Sequence, residues 1–116
     1  MRIQIRAGDQ LVTARLEDNA AARDFAAQLP LDLMVRDHAS TEKVADLPRK
    51  LATGSAPAGI DPEVGDLAYY APWGNIAIFY RDFGYSRGLV RLGRIESLGE
   101  AVSDLPTGPL RIEAVQ

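Results

Sequence analysis

The sequence predicts a mainly β protein, a closed antiparallel barrel of about eight strands with two short helices, and three observations predict it. Stretches of strict apolar–polar alternation recur along most of the chain, as half-buried strands require. Only two stretches read as helix, and no strand–helix–strand rhythm links the strands, which argues against a parallel sheet. The run from Gly65 to Ile95, GDLAYYAPWGNIAIFYRDFGYSRGLVRLGRI, is dense in β-branched and aromatic residues, with all four tyrosines, the one tryptophan and two of the three phenylalanines. Closing the sheet removes the free edges that so many strands would otherwise expose. A barrel of about eight strands is filled by its own side chains, so a ligand binds on its outside or at its mouth.

The first strand is Arg2 to Arg6, with Ile3 and Ile5 on one face and Arg2, Gln4 and Arg6 on the other. Gly8-Asp9 turns the chain, and Leu11 to Leu16 returns with Val12, Ala14 and Leu16 against the same core. Asp18 or Asn19 caps a helix over Ala20 to Leu29, whose stripe of Ala21, Phe25 and Leu29 faces inward and which Pro30 stops. Leu31 to Arg36 alternates again, with Leu31, Leu33 and Val35 inward. From Asp37 to Val64 the pattern breaks down into a long connection anchored by Val44, Leu47 and Leu51, of the kind that is often functional.

Gly65 to Ala71 and Ile76 to Tyr80 form a hairpin closed by Pro72-Trp73-Gly74-Asn75, with Gly74 in the left-handed conformation. Leu89 to Ile95 follows as the third strand of a meander. Ser97-Leu98-Gly99-Glu100 reads as a capping box that opens a second short helix to about Leu105. Leu110 to Val115 is the last strand, with Leu110, Ile112 and Ala114 on one face.

The 116 residues suit one domain, residues 1–116, with a core that needs no staples. The absence of cysteine excludes disulfides, thiol catalysis and iron–sulfur chemistry. The N-terminal stretch lacks the apolar block of a signal peptide and no run has the length of a membrane span, so a soluble cytoplasmic protein without a membrane partner is expected. A net charge of −3 argues against a nucleic-acid partner. Arg81, Arg87, Arg91 and Arg94 read as solvated strand positions rather than an RNA-binding stripe.

Candidate chemistry is sparse. The one histidine, His38, has no serine in a nucleophile elbow to pair with and reads as a polar residue at a strand end. With Glu42 it supplies two ligands where zinc wants three or four, so neither a metal nor another cofactor is expected. The loop Gly54 to Gly59 lacks the Gly-Lys-Ser/Thr ending of a phosphate cradle. The aromatics carry more. In both strands of the central hairpin one aromatic set must point away from the core, and Trp73 sits at a turn tip that a small polar residue would serve equally well. The candidate binding residues are therefore Tyr70, Trp73, Phe83 and Tyr85, with Arg49 or Arg87 as a hydrogen-bonding fork for a carbonyl or carboxylate.

Three stretches, Ala22-Arg23-Asp24-Phe25, Leu47-Pro48-Arg49-Lys50-Leu51 and the run from Gly65 to Ile95, together with the order of elements, resemble the small bacterial and archaeal cyclophilin-like proteins. The resemblance covers nearly the whole chain and implies a cyclophilin-like β-barrel; the family brings no established activity. The related prolyl isomerases carry a Phe-His-Arg segment, absent from this chain, so no catalytic residue transfers by position. The function expected is a non-catalytic module that binds a peptide or small molecule. The alternatives are a divergent prolyl isomerase and a homo-oligomeric interaction protein that uses the same aromatic patch.

Overall fold

The computed structural model describes residues 1–96 and 100–115. In chain order the elements are β1 (Arg2–Ala7), β2 (Gln10–Leu16), α1 (Ala20–Ala27), β3 (Leu31–His38), β4 (Glu42–Asp46), β5 (Gly59–Ile60), β6 (Asp66–Tyr70), β7 (Asn75–Phe79), β8 (Ser86–Arg87), β9 (Leu89–Ile95), α2 (Glu100–Ser103) and β10 (Gly108–Val115). Eight strands close a barrel in the order β1-β10-β3-β4-β7-β6-β9-β2, every neighbour antiparallel, while β5 and β8 pair as a separate ribbon.

The alternating stretches place their apolar faces inside as expected: Ile3 and Ile5, Val12 and Ala14, Leu33 and Val35, Leu110 and Ile112 are all buried. Ala114 is exposed, so the inward face of the last strand stops at Ile112. Tyr69 fills the interior too, and its hydroxyl accepts a hydrogen bond from the Leu51 amide at 3.2 Å, which anchors the connection after β4.

Asn19 caps α1. Its Oδ1 accepts from the Ala22 amide at 2.8 Å, while its Nδ2 donates to the Arg91 carbonyl at 3.1 Å and ties the helix to β9. Ala21, Ala22 and Phe25 are buried in the barrel core. The second expected helix amounts to one turn, Glu100–Ser103, with Val102 and Leu105 buried; Ser97, Leu98 and Gly99 of the expected capping box lie outside the described residues.

Three expectations are corrected. The stretch Asp37 to Val64 is not one long connection, because it contains β4, a barrel strand. Glu42, Lys43, Val44 and Ala45 are all buried, so both faces of β4 are covered and no alternation exists to be read. The run from Gly65 to Ile95 is not a meander either: β9 pairs with β6 and β2, and β7 lies between β6 and β4. Finally, Arg91 and Arg94 are not simply solvated. They grip Asp66, which is fully buried: its Oδ2 accepts from Arg91 Nε and Nη2 at 3.1 and 2.9 Å and from the Glu63 amide at 2.9 Å, and its Oδ1 accepts from Arg94 Nη1 at 2.7 Å. A buried carboxylate needs that many donors to offset its lost hydration.

Candidate functional site

Strand order creates the site. Because β7 and β9 flank β6 on opposite sides, residues 80–88 must cross from one to the other outside a filled barrel. They leave at Phe79, whose carbonyl accepts from the Gly65 amide, and arrive at Leu89, opposite Tyr70. The crossing therefore runs the length of β6, about 13 Å at the usual rise per residue. It is pinned on the way by the ribbon of β8 with β5 and by bonds from the Gly88 amide to Ala58 O and from the Ala71 amide to Gly88 O.

The crossing covers an outer face that would otherwise be wet. Leu67, Tyr69, Ile76 and Ile78 point into the barrel, while Ala68, Ala77 and Phe79 point outward and are buried with Val44 and Leu89 in a second apolar cluster. The Phe83 ring rests on Phe79, centroids 5.8 Å apart. Between the crossing and the sheet lies a pocket of about 120 Å³. Val44 and Ala77 line its base, where short side chains leave room between the large ones. Tyr70, Phe79, Phe83 and Trp73 supply aromatic walls, completed by His38, Glu42, Asn75, Ser86 and Leu89.

Trp73 belongs to the hairpin tip. Gly74 takes φ +66°, and the Trp73 and Gly74 amides both donate to Tyr70 O. The tip turns the indole back over the sheet, edge-on to Tyr70 at 5.4 Å and to His38 at 5.8 Å, yet leaves it 60 % exposed.

The chain matches the sequence profile described as the Cyclophilin-like family over residues 5–113. This protein belongs to the cyclophilin-like family. Its fold is similar to the solution structure of a hypothetical protein from Archaeoglobus fulgidus, with a TM-score of 0.76 at 20 % identity, covering 99 % of this chain and 95 % of that one. No curated protein matches the chain.

In this cyclophilin-like chain two of the residues lining the pocket carry a buried polar atom with nothing to bond. Glu42 is 8 % exposed and its Oε2 has no hydrogen-bond partner; Asn75 is 1 % exposed and its Oδ1 has none. They enter from opposite ends of the β4–β7 ladder, since Glu42 faces Phe79 and Asn75 faces Asp46. Burial pushes the Glu42 carboxyl above its ordinary value, and Asp37 adds to the rise while His38 opposes it. Beside it Asp37 is held below its ordinary value, chiefly by the hydrogen bond it accepts from the Tyr80 hydroxyl. Lys43 Nζ stands 3.4 Å from Asp37 and 5.7 Å from the centre of the Tyr80 ring, so its charge is already engaged.

Of the residues expected from sequence, Tyr70, Trp73 and Phe83 come together in the pocket. Tyr85 and Arg87 do not line it; both are exposed on the crossing segment. Arg49 lies elsewhere, paired at 2.8 Å with Asp24 of α1, whose other carboxylate oxygen accepts from the Ala52 amide. Sequence reasoning missed Glu42 and Asn75 as site residues. The available signal for Asn75 was an amide placed immediately after the turn glycine, at the head of an otherwise apolar strand; for Glu42 there was none beyond its nearness to His38. Among the described residues no cluster of three or more histidines and carboxylates is placed to hold a metal, and no helix is long and apolar enough to cross a membrane.

Proposed function

We propose that this cyclophilin-like protein is a non-catalytic binding module whose ligand enters the pocket beneath the 80–88 crossing. The observation that carries this reading is the pair of buried, unpartnered oxygens, Glu42 Oε2 and Asn75 Oδ1, set among aromatic walls. An unmet buried acceptor costs stability, so a ligand that meets it recovers that cost on binding. Concave, mostly apolar sites with a few convergent polar groups are the usual form of small-molecule sites. At about 120 Å³ the space suits a small ligand or a single side chain rather than a length of extended peptide. A second reading draws on Trp73, Phe83 and Tyr85, all more than half exposed, which suit a self-contact between two copies.

Ligand-observed NMR with a panel of small amines, carboxylates, amides and alcohols tests the first reading. Fragments should bind, and Ala77→Leu, which fills the pocket base, should abolish their signals while leaving the far-ultraviolet circular dichroism unchanged. Binding indifferent to Ala77→Leu, or no binding at millimolar concentration, refutes it. Sedimentation across a concentration series reads the second: a dimer lost in Trp73→Ala supports a self-contact, and a monomer throughout removes it.

A further inference from the structure

We infer that the occupant of this pocket is a small alkylammonium ion that donates an N–H to Glu42 and lies among the aromatic walls. The inference rests on the binding-module reading and names the ligand class. Ionised Glu42 is an acceptor only, so its unpartnered Oε2 is then met by a donor. Among the described residues Glu42 is the one carboxylate lining the pocket and no lysine or arginine lines it; His38 is the one other titratable group of basic character there. An anion would meet that carboxylate at close range in a site with little water to screen it.

Aromatic faces add to the selection, because their negative quadrupoles attract a cation without requiring it to stay hydrated. Four of the lining residues, Tyr70, Trp73, Phe79 and Phe83, are aromatic. A metal ion fits poorly: hard cations want six or more oxygens, and no cluster of three or more histidines and carboxylates occurs among the described residues. A quaternary ammonium has no N–H and would leave Glu42 Oε2 unmet. The space of about 120 Å³ limits the occupant to a small group.

Proton linkage distinguishes a cation from a neutral ligand. The ionisable groups around Glu42 are His38 and Asp37 on β3, Lys43 beside it on β4, Tyr80 just beyond β7 and Tyr70 on β6. Burial favours the protonated Glu42, whereas an ammonium needs the ionised one. Affinity for a cation therefore rises with pH through the Glu42 titration, and a ligand that accepts a proton from Glu42 behaves oppositely.

The experiment is a calorimetric titration of the full chain with n-butylammonium, 1-butanol and butyrate, at about pH 5 and about pH 8. The expected order at the higher pH is butylammonium tighter than butanol by about tenfold or more, with butyrate weakest. Glu42→Gln should lower butylammonium affinity by about tenfold and flatten its pH dependence. Equal binding of butanol and butylammonium, or a Glu42→Gln variant with unchanged affinity and pH profile, overturns the inference. Butanol or butyrate bound in the pocket and lost in Ala77→Leu, with no butylammonium binding, overturns the ligand class alone and leaves the binding module standing. No pocket-dependent binding by any probe overturns both. Should Ala77→Leu lose its barrel spectrum, Val44→Leu blocks the same base. Nα-acetyl-lysine methylamide is the arm for a partner's side chain: affinity about tenfold above that of butylammonium overturns the assignment to a free ion.

Discussion

Glu42→Leu should make the protein more stable, and the gain should be larger at neutral than at acid pH. Glu42 is 8 % exposed and its Oε2 bonds to nothing, so the folded state carries an unmet acceptor whose cost is about 1–3 kcal/mol. Leucine removes that acceptor and places methyl groups beside Val44 and Phe79 in space that is partly open, so overpacking is not a concern. A net gain of about 1–3 kcal/mol corresponds to a melting point higher by very roughly 4–12 °C in a domain of this size.

The sign of the pH dependence follows from burial, which raises the folded-state pKa of Glu42 above its ordinary 4.5. Below 4.5 both states hold the proton and the charge penalty is absent. As pH climbs from 4.5 through the raised value, the folded chain retains a proton that the unfolded chain has released, so stability falls. Above the raised value the whole penalty is present. Asp24, Asp37 and Glu96 act in the opposite sense: their lowered pKa values give stability that is lost as pH falls through them. Asp24 and Glu96 are common to both proteins and cancel in the difference, while Asp37 repels the Glu42 charge and so adds to the parent's penalty at higher pH. Urea denaturation followed by circular dichroism, at about pH 4 and about pH 7.5, measures that difference. A gap that does not widen with pH, or a variant less stable than the parent at both, would refute the claim that Glu42 is a strained, unpartnered acid.

Gly74→Val should cost about 1–2 kcal/mol, all of it from the left-handed backbone. The residue holds φ +66° while its missing Cβ would meet nothing within 4 Å; an unchanged urea midpoint would show the turn relaxes freely. Gly93→Ala should cost more, about 1–3 kcal/mol or above, because its Cβ would fall 2.2 Å from Arg15 O and force β9 away from β2. Normal stability there would mean the seam is looser than drawn. Trp73→Ala should leave the melting point within a few degrees, since the ring is 60 % exposed, and the parent's tryptophan emission should be red-shifted and readily quenched. A blue-shifted emission from the dilute monomer contradicts this. Exchange of a proline test peptide between its cis and trans forms should not quicken with added protein, because no arginine lines the pocket; a rate that rises with protein and is lost in Arg49→Ala or Arg87→Ala overturns that expectation.

The elements legible in the sequence are those with one dry face and one wet one. Ile3 and Ile5 against Arg2 and Arg6, or Leu33 and Val35 against Met34 and Arg36, state their orientation by alternation alone. Glu42-Lys43-Val44-Ala45-Asp46 states nothing of the kind. Its Val44 faces the outer cluster and its Ala45 the barrel, while Glu42 and Lys43 are buried for reasons that lie in other strands. Trp73, Tyr70 and Phe83 were legible as site candidates because large amphipathic rings in or beside a turn have no local purpose. Tyr85 and Arg87 belong to the same crossing segment but stand on its exposed side, a distinction that sequence spacing does not draw.

The pocket itself follows from one topological choice that local pattern leaves open. Leu89 to Ile95 could pair with β7 to complete a meander or with β6, and its alternation serves either partner equally. Against β7, the chain would need only a tight turn, and the outer face of Ala68, Ala77 and Phe79 would stand in water. Pairing with β6 instead forces residues 80–88 across that face, which explains why a barrel strand carries apolar residues on both sides. It also gives the barrel a concave site although its interior is filled by Tyr69 and its neighbours. Glu42 and Asn75 gain meaning only once that cover is in place. In an open sheet water would satisfy both oxygens. Beneath the crossing they stay unmet in the protein alone, a stability cost that folding by itself does not require and that a ligand would offset.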